Sequence, residues 1–435
     1  MIQPHFFAGC AAARERIKKQ LFICARVCYN ECGGRPFAAP REINDRNGGI
    51  LRFSDEAILR TVLSAESPLR QDDDRNERRS PHMKKTLLFD PAVFAVGTTY
   101  QILARVGSDC TFSVEIDGVR FHDHFNGVLR TQTRVHRATV PQAALDRAGK
   151  YAVIVRPVLE RRAYRSCLLP EERFEFAFRP LPAGECNLFQ IADTHGRAQH
   201  AIRSAEQCGA AIDLLVLNGD VIDAADKSGD FDTIFRLAQG VTHGSLPVIC
   251  TRGNHDLRGK AAERMGDFIP TENGRTYYTL RLGDLWALVL DTGEDKPDDH
   301  PEYGGVNCCH AFREEQTAFL RQVIANAATE YAAPDVRQKL VIVHNPFTHL
   351  DHAPFDIEPE LFREWTGLLR EYVRPHLILT GHYHDCFVST PGDAFDTFGQ
   401  PCPVVVGAKP ERESGFTGCL IRLGSGDPAV RFCRG

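Results

Sequence analysis

Hydrophobic and polar positions change rhythm along the chain. Between about 84 and 182 they alternate in short runs: TYQILARV (99–106), CTFSVEIDGVRF (110–121), GKYAVIVRPV (149–158) and RFEFAFRP (173–180). Period-two alternation rich in Val, Phe and Tyr predicts strands, and Asp117-Gly118 predicts a turn inside the second run. We therefore expect a small all-β, fibronectin-III-like sandwich over 83–182, bounded by Pro180, Pro182, Ala183 and Gly184.

From 186 onward the rhythm becomes strand, loop, helix. Five apolar runs end in polar residues: NLFQIADTHG (187–196), DLLVLNGD (213–220), LPVICTRGNHD (246–256), LVIVHN (340–345) and LILTGHYH (377–384). Helical patterns fall between them, near 198–209, 231–240, 314–330 and 359–372. This predicts an α/β domain over 186–435. In such folds ligands gather at the carboxyl ends of strands, where these polar residues fall.

Residues 1–82 fit neither rhythm. They hold 14 Lys and Arg against 11 Asp and Glu and end in QDDDRNERRSPH, directly before Met83. We expect a poorly structured extension or linker, or a segment that is not translated because synthesis starts at Met83.

Composition narrows the picture further. The chain has 435 residues, 43% apolar and 25% charged, with a net charge of -5. That acidic balance argues against nucleic acid as a partner. No apolar run is long enough to cross a bilayer and no apolar leader opens the chain, so we expect a cytoplasmic protein without membrane contact. The fifteen cysteines show no disulfide-scaffold spacing, and reduced thiols are expected. Cys24, Cys28 and Cys32, spaced by four, match no common metal-ligand pattern. His122, Asp123 and His124 are read as loop residues beside a strand.

The strand-end residues carry the chemistry: Asp193 and His195, Asp220, Asn254 and His255, His344, and His382 and His384. Two carboxylates and several imidazoles exceed what one ion needs. Mixed N/O ligation without cysteine suits Mn, Fe or Zn, and Asp220, alone on its strand end, is the natural bridging carboxylate between two ions.

In their order, DTH (193–195), GDVID (219–223), GNHD (253–256), the lone His344 and GHYH (381–384) resemble the five motifs of the calcineurin-like metallophosphoesterase superfamily. The resemblance covers about 190–385. It implies a four-layer α/β/β/α metallophosphoesterase domain with two divalent or trivalent transition-metal ions (Mn, Fe or Zn) that activate water to hydrolyse a small phosphoester, monoester or diester. It further implies that Asp193, His195, Asp220 and His384 hold one ion, and Asp220, Asn254, His344 and His382 the other. His255 is then a catalytic proton donor or charge stabiliser, oriented by Asp256, and Arg252 a substrate-binding cation similar to one in phosphoprotein phosphatases.

The preceding β-rich segment resembles the arrangement in purple acid phosphatases. Those enzymes carry a Tyr ligand where this chain has Asp223, so their charge-transfer iron chemistry is not implied. Asp223 is expected to bond a ligand or loop amide. The polar stretch 291–307, with Asp295, Tyr303 and Asn307, is expected to line the substrate entrance, and His349 and His352 to lie on a lid. The alternatives are a non-catalytic metal-binding scaffold of this fold and a nuclease.

Overall fold

A computed structural model of the chain describes residues 86–411 and 415–435, and the backbone of two strands before them. The chain divides into two compact units, Met1–Met83 and Lys84–Gly435. In the first, Glu42–Asn44 pairs antiparallel with Ile50–Arg52, Ile43 opposite Leu51. The rest of the expected extension over 1–82, and Cys24, Cys28 and Cys32 with it, lies outside the described residues.

The second unit is mixed α/β. Its largest sheet runs in the order Lys409–Pro410, Phe416–Leu423, Cys186–Ile191, Leu214–Asn218, Pro247–Thr251, Ala92–Val96, Thr99–Arg105, Val135–Pro141, with Ala429–Arg434 paired to Phe416–Leu423. A six-stranded sheet has the order Tyr278–Leu282, Leu285–Val289, Gln338–Ile342, Leu377–Thr380, Val404–Gly407, Cys386–Ser389. The first and second sheets each hold a parallel run: Cys186–Ile191, Leu214–Asn218 and Pro247–Thr251 in one, Leu285–Val289, Gln338–Ile342, Leu377–Thr380 and Val404–Gly407 in the other.

Strand pleat divides the apolar side chains. Leu188, Leu214, Val216 and Ile249 of the large sheet share one buried cluster with Ala287, Val289, Leu340, Ile342 and Leu379 of the six-stranded sheet. Their neighbours of opposite parity, Phe189, Ile191, Leu215, Leu217 and Val248, pack with Ala201, Ile202, Ile234 and Phe235 of the helices Ala198–Gln207 and Asp232–Thr242. On the other sheet Trp286, Leu288, Val341 and Ile378 pack with Leu320, Val323, Phe362 and Trp365 of the helices Cys309–Ala325 and Pro359–Leu368. Parallel strands buried on both faces need continuous apolar runs, and these sequences supply them.

The β-rich stretch forms an all-β region, but part of it joins the large sheet. The hairpin Cys110–Ile116 to Val119–His122 forms at Asp117-Gly118, both left-handed (φ 48° and 80°), as its two-residue turn requires. It lies in a five-stranded sheet with Lys150–Arg162, Arg165–Leu168 and Glu172–Ala177. Ala92–Val96, however, pairs parallel with Pro247–Thr251, Val93 opposite Pro247 and Phe94 opposite Val248. The residues around 180–184 therefore mark no structural boundary. AVFAV is buried at every position and finds its partner some 150 residues away, information that local periodicity does not contain.

Among the described residues no helix is long and apolar enough to cross a membrane, and Cys110, Cys186, Cys208, Cys250, Cys309, Cys402, Cys419 and Cys433 are buried free thiols. Because 86–182 cover an edge of the large sheet, a chain beginning at residue 183 should aggregate. Expression of 183–435 with size-exclusion chromatography checks this; a monodisperse, folded product would contradict the shared sheet.

Candidate metal centre

The five apolar strands predicted to end in polar groups all do so on one side of the molecule. Cys186–Ile191 delivers Asp193 and His195, Leu214–Asn218 delivers Asp220, and Pro247–Thr251 delivers Asn254 and His255; Gln338–Ile342 delivers His344, and Leu377–Thr380 delivers His382 and His384. Loop backbones stitch these ends together: Asp193 N–H donates to Gly219 O and His195 N–H to Asp220 O, both at 3.1 Å, and Gly381 N–H donates to His344 O at 2.9 Å. Buried Gln190 ties the two sheets, its Nε2 donating to Thr380 O at 2.6 Å.

The backbone here is strained. Asp193, His195, Asp220, His382 and His384 all take positive φ, between 45° and 73°, a region costly for residues other than glycine. Five such residues at one cluster indicate that side-chain convergence overrides local preference. Close approach also demands glycine: a Cβ on Gly253 would stand 2.2 Å from Asp220 Oδ1, and one on Gly219 2.5 Å from His344 Nδ1.

Three groups of donors converge closely enough to hold a cation: Asp193, His195 and His384; Asp220, His344 and His382; and His195, Asp220 and His255. His195 Nε2 and His384 Nε2 are 3.0 Å apart, and His384 Nε2 is 3.5 Å from Asp193 Oδ1. His382 Nδ1 is 3.1 Å from Asn254 Oδ1, while both Asp193 oxygens accept the His382 backbone N–H, at 3.0 and 3.1 Å.

His344 provides the test of whether these residues fit a metal. It is fully buried, and its Nδ1 lies 2.7 Å from Asn218 O, which can only accept, so Nδ1 carries a proton. Nε2 has no hydrogen-bond partner and faces Asp220 Oδ2 at 3.3 Å and Asp193 Oδ1 at 3.7 Å. An imidazole lone pair turned to two buried carboxylates requires a positive charge among them, either a proton or a metal ion.

The electrostatics agree. Burial lowers the His344 imidazole, but Asp220 and Asp193 outweigh it and raise it to about 10. Burial raises Asp193 to about 8, opposed by His344 and reinforced by Asp220. Burial also pushes Asp220 up, yet the neighbouring His344 imidazole holds that carboxyl below the usual range. His195 and His382 are each lowered to about 4, chiefly by burial, and so stay neutral and able to ligate. The donor set fits a transition metal held by imidazole and carboxylate.

Residues 187–386 match the family model described as calcineurin-like phosphoesterase. The match spans 200 of the 435 residues. No curated protein matches the chain. Among solved structures, a purple acid phosphatase from seeds of yellow lupin (Lupinus luteus) is similar, with 12% identity, a TM-score of 0.48 and coverage of 79% of this chain and 71% of that one. PhoD is similar with 12% identity, a TM-score of 0.46, and coverage of 81% and 90%. A protein from Thermus thermophilus shows 17% identity, a TM-score of 0.35, and coverage of 57% and 98%.

Two expected contacts of the phosphoesterase domain are placed differently. Asp256 does not orient His255: it is fully buried, and its oxygens accept the amides of Gly253 at 2.8 Å and Ile222 at 3.2 Å. Burial, with Asp220 adding to it, raises this carboxyl to about 7. Asp223 stands by His255 instead, its carbonyl 3.0 Å and its Oδ1 3.3 Å from Nδ1, and the same Oδ1 is 3.2 Å from His195 Nδ1. Arg252 is drawn away from the cluster, since its Nε donates to buried Asp291 at 2.6 Å and its guanidinium lies 5.5 Å from the Phe312 ring centre.

The cation beside His255 is Arg258, whose Nη1 is 3.3 Å from His255 Nε2. Sequence reasoning missed it, although a tight turn over His255–Leu257 brings positions three apart to one side. The 291–307 stretch does reach the site: Asp295 Oδ2 accepts from the Asn254 amide at 3.3 Å and Oδ1 accepts from the Tyr303 hydroxyl at 2.9 Å. That contact turns the Asn254 amide oxygen towards His382. His349 stacks on Phe395 with ring centres 4.2 Å apart, and His352 pairs with Asp351, both outside the ligand groups. Asp123 bonds buried His136 at 2.7 Å, whereas His122 and His124 are exposed.

Asp256→Ala, which orphans two buried amides, should lower stability by about 2–3 kcal/mol. Denaturant unfolding measures this; an unchanged midpoint would mean the amides find other partners.

Proposed function

We propose that the protein is a metal-dependent phosphoester hydrolase with a dinuclear centre held by Asp193, His195, Asp220 and His384 on one side and Asp220, Asn254, His344 and His382 on the other. The observation that carries this reading is the unpartnered Nε2 of fully buried His344, set between the Asp193 and Asp220 carboxylates. When bound, two such ions supply Lewis-acid polarisation of phosphoryl oxygens and a nucleophile from water near neutral pH.

The chain's own groups then do the rest. Asp220 groups with His195 and His255 on one side and with His344 and His382 on the other, and would be the carboxylate shared between the two ions. The Asn218 carbonyl fixes the His344 tautomer so that Nε2 keeps its lone pair for ligation. His255 is about one-quarter exposed at the edge of the cluster, with Nδ1 held by the Asp223 carbonyl. Its Nε2 is 3.3 Å from Arg258 Nη1, which can only donate, so His255 takes up a proton there before it stabilises developing charge or gives that proton to the leaving oxygen. The substrate in this reading is a small phosphoester. The acidic balance of the chain argues against duplex nucleic acid.

Metal-stripped protein should hydrolyse p-nitrophenyl phosphate or its bis-ester only when Mn, Zn, Fe or Ni is restored, and the two rates assign monoester or diester preference. Silence from folded protein that binds no metal would refute the assignment. Asp220→Asn should abolish turnover and reduce metal content. His255→Ala should slow turnover by about 10²–10⁴-fold with metal content retained; lost metal in this variant would make His255 a ligand.

A further inference from the structure

Three carboxylates and two cations meet beside His255 without belonging to the ligand cluster. Two of the carboxylates are buried and fixed. Glu294 takes Arg258 through both oxygens, Nε at 3.1 Å and Nη2 at 2.9 Å. Asp295 takes the Lys296 ammonium at 3.0 Å while also holding Tyr303 and Asn254. Each cation is thus balanced by an acid locked in the interior. The aromatic rings of Phe355 and Tyr303 lie 5.1 and 5.8 Å from Lys296 Nζ and fix the ammonium further.

The third carboxylate, Glu302, differs in kind. Its side chain is 43% exposed and lies across the donors that Glu294 and Asp295 leave over. One oxygen is 3.5 Å from Arg258 Nη1 and the other 3.1 Å from Lys296 Nζ, with His300 Nδ1 at 3.9 Å. Neither cation needs Glu302 for neutrality, and an exposed carboxylate of this type is weakly held. Arg258 Nη1 also reaches His255 Nε2, so the spot that Glu302 covers adjoins the place assigned above to the reacting phosphate.

We infer that Arg258 and Lys296 form a second anion subsite in which the Glu302 carboxylate stands in for a ligand group, and that the substrate carries a second anionic group, phosphate or carboxylate, next to the scissile ester. The inference rests on the phosphoesterase reading and narrows its substrate class. A guanidinium fork and an ammonium side by side suit an oxyanion with several acceptor oxygens better than the single carboxylate now there. Glu302 can rotate into solvent, since it sits on an exposed turn just before Gly304 and Gly305 while buried Tyr303 holds the backbone. A substrate with one charged group leaves Glu302 in place; a substrate with two displaces it.

Calorimetric titration of the metal-loaded protein with methylphosphonate, phosphonoacetate and methylenediphosphonate tests this. The first ligand has one anionic group, the second adds a carboxylate, and the third adds a phosphonate. At least one of the two-group ligands should bind about tenfold tighter than methylphosphonate, and which of them does so identifies the second group. Glu302→Gln, an exposed change, should widen that preference, and Lys296→Gln should erase it. Equal affinities for all three ligands in both the native protein and Glu302→Gln would overturn the subsite while leaving the phosphoesterase reading intact. Absence of all phosphonate binding, together with metal-restored protein inert towards p-nitrophenyl esters, would instead overturn the parent reading. Metal content measured after each titration separates binding from chelation by the ligand.

Discussion

The constraint on which the site depends is electrostatic. Asp193 and Asp220 are buried together, and the His344 lone pair is aimed between them. Carboxylates removed from water in this way are tolerated only with positive charge among them. Without a metal the protein meets that demand with protons, on His344 and on the raised Asp193. A bound metal ion would meet it as well and would invert the local proton affinities. The left-handed backbone at five positions of the cluster is the conformational cost of bringing these side chains to one place.

Everything around the cluster serves to hold that arrangement. Two parallel strand runs, in different sheets, present their carboxyl ends to the same point, and Gln190 and the inter-loop amides keep the ends in register. Gly219 and Gly253 let side chains and backbone approach where any Cβ would collide. Asp256, which has the composition of a catalytic acid, is consumed in pinning the Gly253 and Ile222 amides, so the loops around Asp220 and His255 share one anchor. Asp223, at the loop tip, takes the place beside His255 and His195.

The strands and the polar residues that converge at their ends were legible because both are written locally: apolar runs of four to six residues that break in Asp, Asn or His need no knowledge of the rest of the chain. What was not legible depends on distant partners. Arg252 directly precedes GNHD and has the character of a phosphate contact, yet Asp291, thirty-nine residues on, captures it. Arg258 takes the position near His255 because Glu294 on another loop clamps its fork. The β-rich segment has the alternation of a sandwich, but Ala92–Val96 completes a sheet begun by Pro247–Thr251. Side-chain pairing and strand order are tertiary decisions, and one residue's neighbours in sequence do not encode them.

The central claim is that this strained, buried cluster exists to hold two metal ions. Elemental analysis of the purified protein, paired with its thermal midpoint before and after chelation, tests that claim directly. The account predicts two transition-metal ions per chain and a marked fall in the midpoint when they are removed, because only the folded state assembles the ligands. A folded protein that retains no metal after equilibration with Mn, Fe or Zn, and whose midpoint is indifferent to chelator, would contradict it.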